Sequence, residues 1–484
     1  MRALSLQALP GSLTILCLAV PVAMAQDVEP PPDFPTTAPR IGPAASVTVP
    51  VPVERTLSNG LRVLYVTRSD LPVVHATLVT RGGASDAPAD AIELAAFTAD
   101  LLDEGAGGRG ALELASDIEL LGASLRVRSG WDGVFVNLSV LRPSLAEALA
   151  VMSDVVARPD FPTEEVERKR EQRLTDLSRA KDEARTIASN AFLVLVYGPD
   201  HPYGRLATME ATAAITRDQM VMYHSTFYRP NVSTLVLVGD VSADRDHSTV
   251  ENAFGSWESG DVPAARIPDV PVTGPTTIYL IDKPGAAQSE IRIGHAGVTR
   301  ADPDYFSITV MNTILGGSFT SRLNSNLREE HGYTYGAGSG FSMRRGAGPF
   351  QASAAVVSDK TDSAVVEFFR ELERMRTEAV PEDELDRARN YVALGFPRRF
   401  ETTGGTAGQI ADLTVYGLDT AWLDDYVPAT LAVTTEQVMG TAVRHVRPAS
   451  AVVIVVGDRA TVEPAIRALG LAPVEIRDAA EFVR

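Results

Sequence analysis

"FYRPNVSTLVLVGDV" (residues 227–241) and "HVRPASAVVIVVGDRA" (residues 445–460) share one layout: Arg-Pro, a short spacer, a β-branched strand, then Gly-Asp. Gly239 and Gly457 are 218 residues apart. Upstream, "VLYVTRSDLPVVHATLVTRGG" (63–83) parallels "IYLIDKPGAAQSEIRIGHAGV" (278–298) as two strands joined by a turn, and Val63 and Ile278 are 215 apart. Two anchors with nearly one offset indicate a duplicated unit of about 210 residues.

Working outward from these anchors, each half reads as strands, helices, more strands, several helices and a final strand. "IELAAFTADLLDEGAGGRG" (92–110) predicts an amphipathic helix that ends in a glycine-rich turn, with Leu94, Phe97, Leu101 and Leu102 on one stripe. "GALELASDIELLGA" (110–123) and "PSLAEALAVMSDVVARP" (143–159) carry helical periodicity, and "ASLRVRSGWDGVFVNLSVL" (123–141) alternates like a hairpin. Residues 161–198 predict a long charged helix, capped by Thr163, leading into a buried one. The fold class is α+β: two homologous domains, each with helices on one face of a mostly antiparallel sheet. Boundaries are set at 1–25 (signal peptide), 26–53 (proline-rich leader), 54–258 (N-terminal domain), 259–275 (linker) and 276–484 (C-terminal domain).

Composition excludes several function classes. At 484 residues and 45% hydrophobic content the chain is globular and multidomain. A formal charge of −18 repels nucleic acid and anionic lipid. Arg2, the apolar run Leu13–Val20 and Ala23-Met24-Ala25 make a secretory signal too short to span a bilayer. Its removal takes away Cys17, the one cysteine, so disulfides and thiolate ligands are excluded from the exported chain. Export to a bacterial periplasm, without membrane insertion, is the expected localisation.

Few catalytic sets are available. No G-x-S-x-G occurs. "GAGGRG" (105–110) follows a helix instead of a strand, which is the wrong context for a pyrophosphate loop. The seven histidines are at least 23 residues apart, so no helix offers two imidazoles at i, i+4 for zinc. His201 and His331 read as structural or solvent-exposed. Asp100, Asp103 and Glu104 suit hard cations better than zinc, or form a solvated helix end.

"ILGGSFTSRLNSNLREEHGYTYGAGSGF" (314–341) is the most specific stretch, and it resembles the C-terminal domain of the pitrilysin (insulinase) family of zinc peptidases. "RGGASDAPADAIELAAFTADLLDEGAGGRGALELASDIELLGASL", "YGPDHPYGR" (197–205) and the doubled Arg-Pro…Gly-Asp strands resemble the same family, over about residues 54–484. The resemblance implies a clam-shell half built of two like domains. It also implies H-x-x-E-H on the first helix. Laid on "ELAAFTADL", the first His falls on Ala96, the Glu on Ala99 and the second His on Asp100. The family's distant glutamate ligand falls near Thr175 or Asp176. Zinc lowers the pKa of its water by about 9 units, or about 12 kcal/mol, and no other group in the chain replaces that.

The resemblance further matches Arg328 and Tyr335, seven apart, to the family's substrate-gripping Arg/Tyr pair, with Gly332 as the helix C′ residue. Tyr333 is a rival phenol, expected on the other face. "LRVRSGWDGVFVNLSV" resembles the strand that accepts substrate by edge pairing, or is a covered core hairpin. The expected function is the non-catalytic, substrate-binding subunit of a heteromeric zinc metallopeptidase. Zinc then sits in a sister subunit of the same family, none is bound by this chain, and unfolded peptide is the substrate. Alternatives are a structural scaffold of the same family, or an autonomous metallopeptidase using Asp100, Asp103 or Asp176.

Overall fold

Two continuous apolar runs, Thr234–Gly239 and Val452–Gly457, each form a strand with every residue buried. Around each of them a six-stranded sheet is built. The computed structural model describes residues 50–271 and 274–484. The expected signal, the leader as far as residue 49 and linker residues 272–273 lie outside them.

The first half contains β1 (Val53–Thr56), β2 (Arg62–Thr67), β3 (Val73–Thr80), a miniature hairpin of β4 (Gly105–Ala106) and β5 (Arg109–Gly110), then β6 (Ser124–Ser129), β7 (Val134–Leu141) and β8 (Thr234–Gly239). The second contains β9 (Thr277–Asp282), β10 (Gln288–Ala296), β11 (Thr334–Phe341), β12 (Pro349–Val357), β13 (Val452–Gly457) and β14 (Val474–Arg477). The first sheet runs β1-β2-β8-β3-β7-β6, and the second runs β14-β9-β13-β10-β12-β11. Five positions coincide. β2 pairs with β8 in parallel as β9 does with β13, and the remaining equivalent pairs are antiparallel. The duplication read in the sequence is therefore a duplication of sheets, mixed but mostly antiparallel. The repeated glycine has a steric reason: a Cβ on Gly239, at φ +135°, would lie 2.0 Å from the Val73 carbonyl oxygen.

Helices cover both faces of each sheet, not one face as expected. On the first sheet, one face packs on α1 (Leu94–Ala99), α2 (Ala111–Leu120), α3 (Leu145–Ala157) and the helix Arg217–Phe227. Its other face, Leu64, Val66, Val236 and Val238, packs on Ala407, Ile410 and Ala411 of the helix Thr403–Val415, which belongs to the second half. The exchange is reciprocal. After α4 (Thr163–Ala180), α5 (Ala184–Tyr197) places Ile187, Ala188, Ala191 and Phe192 against Ile454 and Val456 of the second sheet. Strands buried on both faces read as unbroken apolar runs, which accounts for β8 and β13.

Three local expectations are corrected. The helix expected to run from Ile92 to a glycine turn spans Leu94–Ala99 alone, although Leu94, Phe97, Leu101 and Leu102 are all buried. The glycines after it make the β4–β5 hairpin, with Gly107 and Gly108 both at positive φ, as a type I′ turn requires. Thr163 is the first residue of α4, not its cap, and Pro162 precedes it with no side-chain capping bond. The connecting stretch also docks: the Pro263 carbonyl accepts from Arg81, and Ile267 and Val270 pack on the core. Among the described residues no helix is long and apolar enough to cross a membrane.

Candidate functional site

Helix α1 is short and turned inward: Leu94, Ala95, Phe97, Thr98 and Ala99 are all buried. Ala96 is half-buried, Ala99 is buried, and Asp100 is exposed at the end. Across from it lies α4, which carries Arg168, Lys169, Arg170 and Arg173. The Arg173 guanidinium reaches into the hollow between the two helices, pairing with Glu93 and, at 2.6 Å, with Asp100. It also lies 5.0 Å over the Phe97 ring. One turn on, Glu104 meets Arg168 and Lys169, each at 2.7 Å. Burial raises the Glu104 pKa, but the hydrogen bonds from Lys169 and Arg168 outweigh it and hold the group below the usual carboxylate range. Burial, helped by the nearby charges of Glu104 and Asp100, pushes Asp103 up.

This is not a zinc donor set. The side chains of Ala96 and Ala99 have no donor atoms, and the Asp100 carboxylate is engaged by the Arg173 guanidinium. Thr175 spends its hydroxyl on the Glu171 carbonyl, 2.9 Å away. Asp176 lines the same hollow but is exposed, 3.7 Å from Arg179. A guanidinium supplies positive charge between the two helices, but it is no Lewis acid. Arg173 was not found by reading the sequence; the run of bases in α4, facing a helix with acids at its end, is the signal that points to it. Among the described residues, one group, Asp302, Asp304 and His445, has metal-like spacing. Asp304 is already engaged there by hydrogen bonding to His445 at 2.7 Å and by Arg444 at 2.8 Å.

Arg328 and Tyr335 flank the expected corner. A short helical turn, Arg322–Asn324, passes into a π-helical segment, Ser325–Glu330, which carries Arg328. It ends as predicted at Gly332, which has φ +66° and donates its N–H to the Arg328 carbonyl at 3.1 Å. β11 begins two residues on, and Tyr335 there is 91% exposed. The two side chains are not joined by a hydrogen bond. Arg328 lies 4.6 Å over the Phe319 ring, with its Nε 3.4 Å from Glu329. Tyr333 does face away from Tyr335, packed on the core and stacked on His331. Alternation is not the reason, since residues two apart in a regular strand share a face. Tyr333 precedes the strand, and the register shifts between Thr334 and Ala337.

The stretch expected to accept peptide, residues 123–141, places one of its strands, β6, at a sheet edge. β6 pairs with β7 alone and leaves one row of backbone groups for an extended chain, whereas β11, which pairs with β12 alone, has its Ala337 N–H and Ser339 carbonyl already taken by the side chains of Asn324 and Asn312, each at 3.1 Å. Within the hairpin 123–141, β6 is thus an edge, while β7 is an interior strand whose Val134, Val136, Leu138 and Val140 lie in the core. His201 is structural: its Nδ1 accepts from the Tyr203 N–H, and its Nε2 meets the Pro268 carbonyl.

Comparison with known proteins agrees with this geometry. The sequence profile described as "Insulinase (Peptidase family M16)" matches residues 62–197, and that described as "Peptidase M16 inactive domain" matches residues 214–392. An "uncharacterized zinc protease" of Mycobacterium bovis is 27% identical over 329 residues, covering 66% of this chain and 74% of that protein. Another, of Streptomyces coelicolor, is 24% identical over 395 residues, covering 80% and 85%. Among solved structures, a peptidase M16 inactive domain from Pseudomonas fluorescens superposes with a TM-score of 0.79 at 25% identity, covering 84% of this chain and 98% of that one. A protease from Helicobacter pylori shares the fold, with a TM-score of 0.78 at 17% identity, covering 85% and 100%.

Proposed function

The chain belongs to the M16 (insulinase) family of peptidases, and from that premise we infer that it serves as a non-catalytic, peptide-gripping subunit for a zinc-bearing sister. One observation carries the reading: Arg173 holds Glu93 and Asp100 where the resemblance calls for a zinc ligand set. Zinc, bound by the sister, supplies the activated water. This chain's residues bind and orient. β6 pairs with the backbone of an unfolded peptide. The phenol of Tyr335 and the guanidinium of Arg328 donate hydrogen bonds to its carbonyl oxygens, which need partners once they leave water. Tyr335 is free to do so as it stands, whereas Arg328 has to leave Phe319 and Glu329. Export through the N-terminal signal places the pair in the periplasm.

The test is reconstitution with the sister chain. Peptide cleavage should need both chains, and Arg328→Ala or Tyr335→Phe in this one should lower kcat/KM by about 10- to 100-fold. Undiminished cleavage by the complex carrying both substitutions contradicts the assignment. The parked position of Arg328 favours a second reading, a scaffold without a peptide role. In that case the complex forms, but neither substitution nor omission of this chain alters turnover.

A further inference from the structure

On the sheet face that carries Tyr335, three strands floor a hollow of about 590 Å³. Gln288, Glu290 and Arg292 enter it from β10, at every second residue and hence on one face. Arg185, in the first turn of α5, lines it from above the sheet. Arg292 is only 8% exposed. Its Nη2 donates to the Arg185 carbonyl at 3.3 Å, while its Nε is buried with no partner. Among the described residues, neither of these guanidiniums forms an ion pair. Burial pulls the Arg292 pKa down, and the charge of Glu290 works the other way. A buried charge without a hydrogen-bonded counter-charge is costly, and this one lines an open hollow.

The open end of the adjoining strand points to the ligand. β11 reads "TYGAGSGF", and a Cβ on Gly340 would meet nothing within 4 Å, while one on Gly336 would meet only Asn324 at 3.8 Å. Glycines inside a strand mark close approach by another backbone; at Gly338 that backbone is the chain's own, the Gly316 carbonyl oxygen lying 3.0 Å from the Cβ position, while Gly336, next to Tyr335, is open. A peptide that enters the hollow at this open end runs past Tyr335 with the two guanidiniums beside it. Planar guanidinium forks match carboxylates in shape and charge.

We propose that the hollow between Arg185, Arg292 and Tyr335 binds a carboxylate of the extended peptide, either its C-terminal group or an Asp or Glu side chain. The proposal rests on the peptide-gripping reading and narrows its substrate class. Glu290 opposes the anion and keeps binding reversible, so removing its charge should tighten the site.

The experiment uses the purified full chain and fluorescent peptides, read by anisotropy at low salt. One sequence with neutral side chains is compared with its C-terminus free and amidated. A second, amidated, is compared with Glu or Gln at its centre. At least one carboxylate form should bind about tenfold tighter than its neutral counterpart. Arg185→Gln, at an exposed position that folding tolerates, should remove most of that advantage, and Glu290→Gln should enlarge it. Arg292→Lys keeps the charge but not the fork, and should retain part of the advantage. Preference for the free C-terminus or for Glu supports the proposal and identifies the source. Equal binding of all four peptides overturns it and leaves peptide gripping intact. Binding of none overturns both. A preference that survives Arg185→Gln and Arg292→Lys unchanged places the carboxylate elsewhere and overturns the proposal.

Discussion

Arg173 decides what helix α1 can do. Replacing it by methionine leaves Glu93 and Asp100 facing each other without a counter-charge. Unfolding at neutral pH should then show a loss of about 1–3 kcal/mol, held toward the lower end by the exposure of Asp100; an unchanged midpoint contradicts the pairing. Restoring letters alone should fail as well. With Ala96→His, Ala99→Glu and Asp100→His together, calorimetric zinc titration should still show weak binding, and affinity should rise only when Arg173 is replaced too. Tight zinc in the triple variant would show that Arg173 does not occupy the site. The missing zinc motif was legible because its spacing is confined to one helix. Arg173 was not, because it reaches Asp100 from 73 residues away. Two buried histidines add a pH dependence. Burial depresses His224 and His295 to about 4, while the unfolded chain titrates near 6.5. The unfolded chain therefore binds more protons between these values. Stability is fully present above about pH 6.5 and is lost as pH falls toward 4, by ~3 kcal/mol per histidine. His224→Gln keeps a donor toward the Val156 carbonyl and should remove about half of that acid slope in a denaturant series from pH 7 to 5. An unchanged slope excludes His224 as its source.

At the scale of elements, the exchanged helices hold the halves together. Phe192 on α5 is fully buried among residues of the second sheet. Phe192→Ala should cost about 3–5 kcal/mol. Because α5 belongs to the first half by sequence and to the second by packing, one calorimetric transition should shift as a unit. Two separated transitions would mean that the halves fold independently. The strand pattern and the hairpin 123–141 were readable from alternation, since a strand's period reports directly which face is buried. The exchange was not, because an amphipathic helix shows that it has an apolar face without naming the surface it will meet. The unbroken apolar runs of β8 and β13 hold the one clue, for they require cover on both sides. Edge strands were likewise open in the sequence, since sheet order depends on non-local pairing.

For the whole molecule, the equal offsets of two anchors were enough to read the duplication, because each sheet is built from one unit of chain. The halves nevertheless form one body, in which each contributes a helix to the other and the connecting stretch is docked through Pro263, Ile267 and Val270. Cutting an engineered protease site in that stretch should leave a single species on gel filtration, with unfolding cooperativity preserved. Separation into two half-sized species contradicts the exchange. The central claim is that this body grips peptide but cannot hydrolyse it, because a guanidinium occupies the place of the cation. The most direct measurement is the zinc content and peptide hydrolysis of the purified chain, free of any sister. The account predicts far less than one zinc per chain and no cleavage beyond the buffer rate. One tightly held zinc per chain, with turnover abolished by a chelator and restored by the metal, would contradict it.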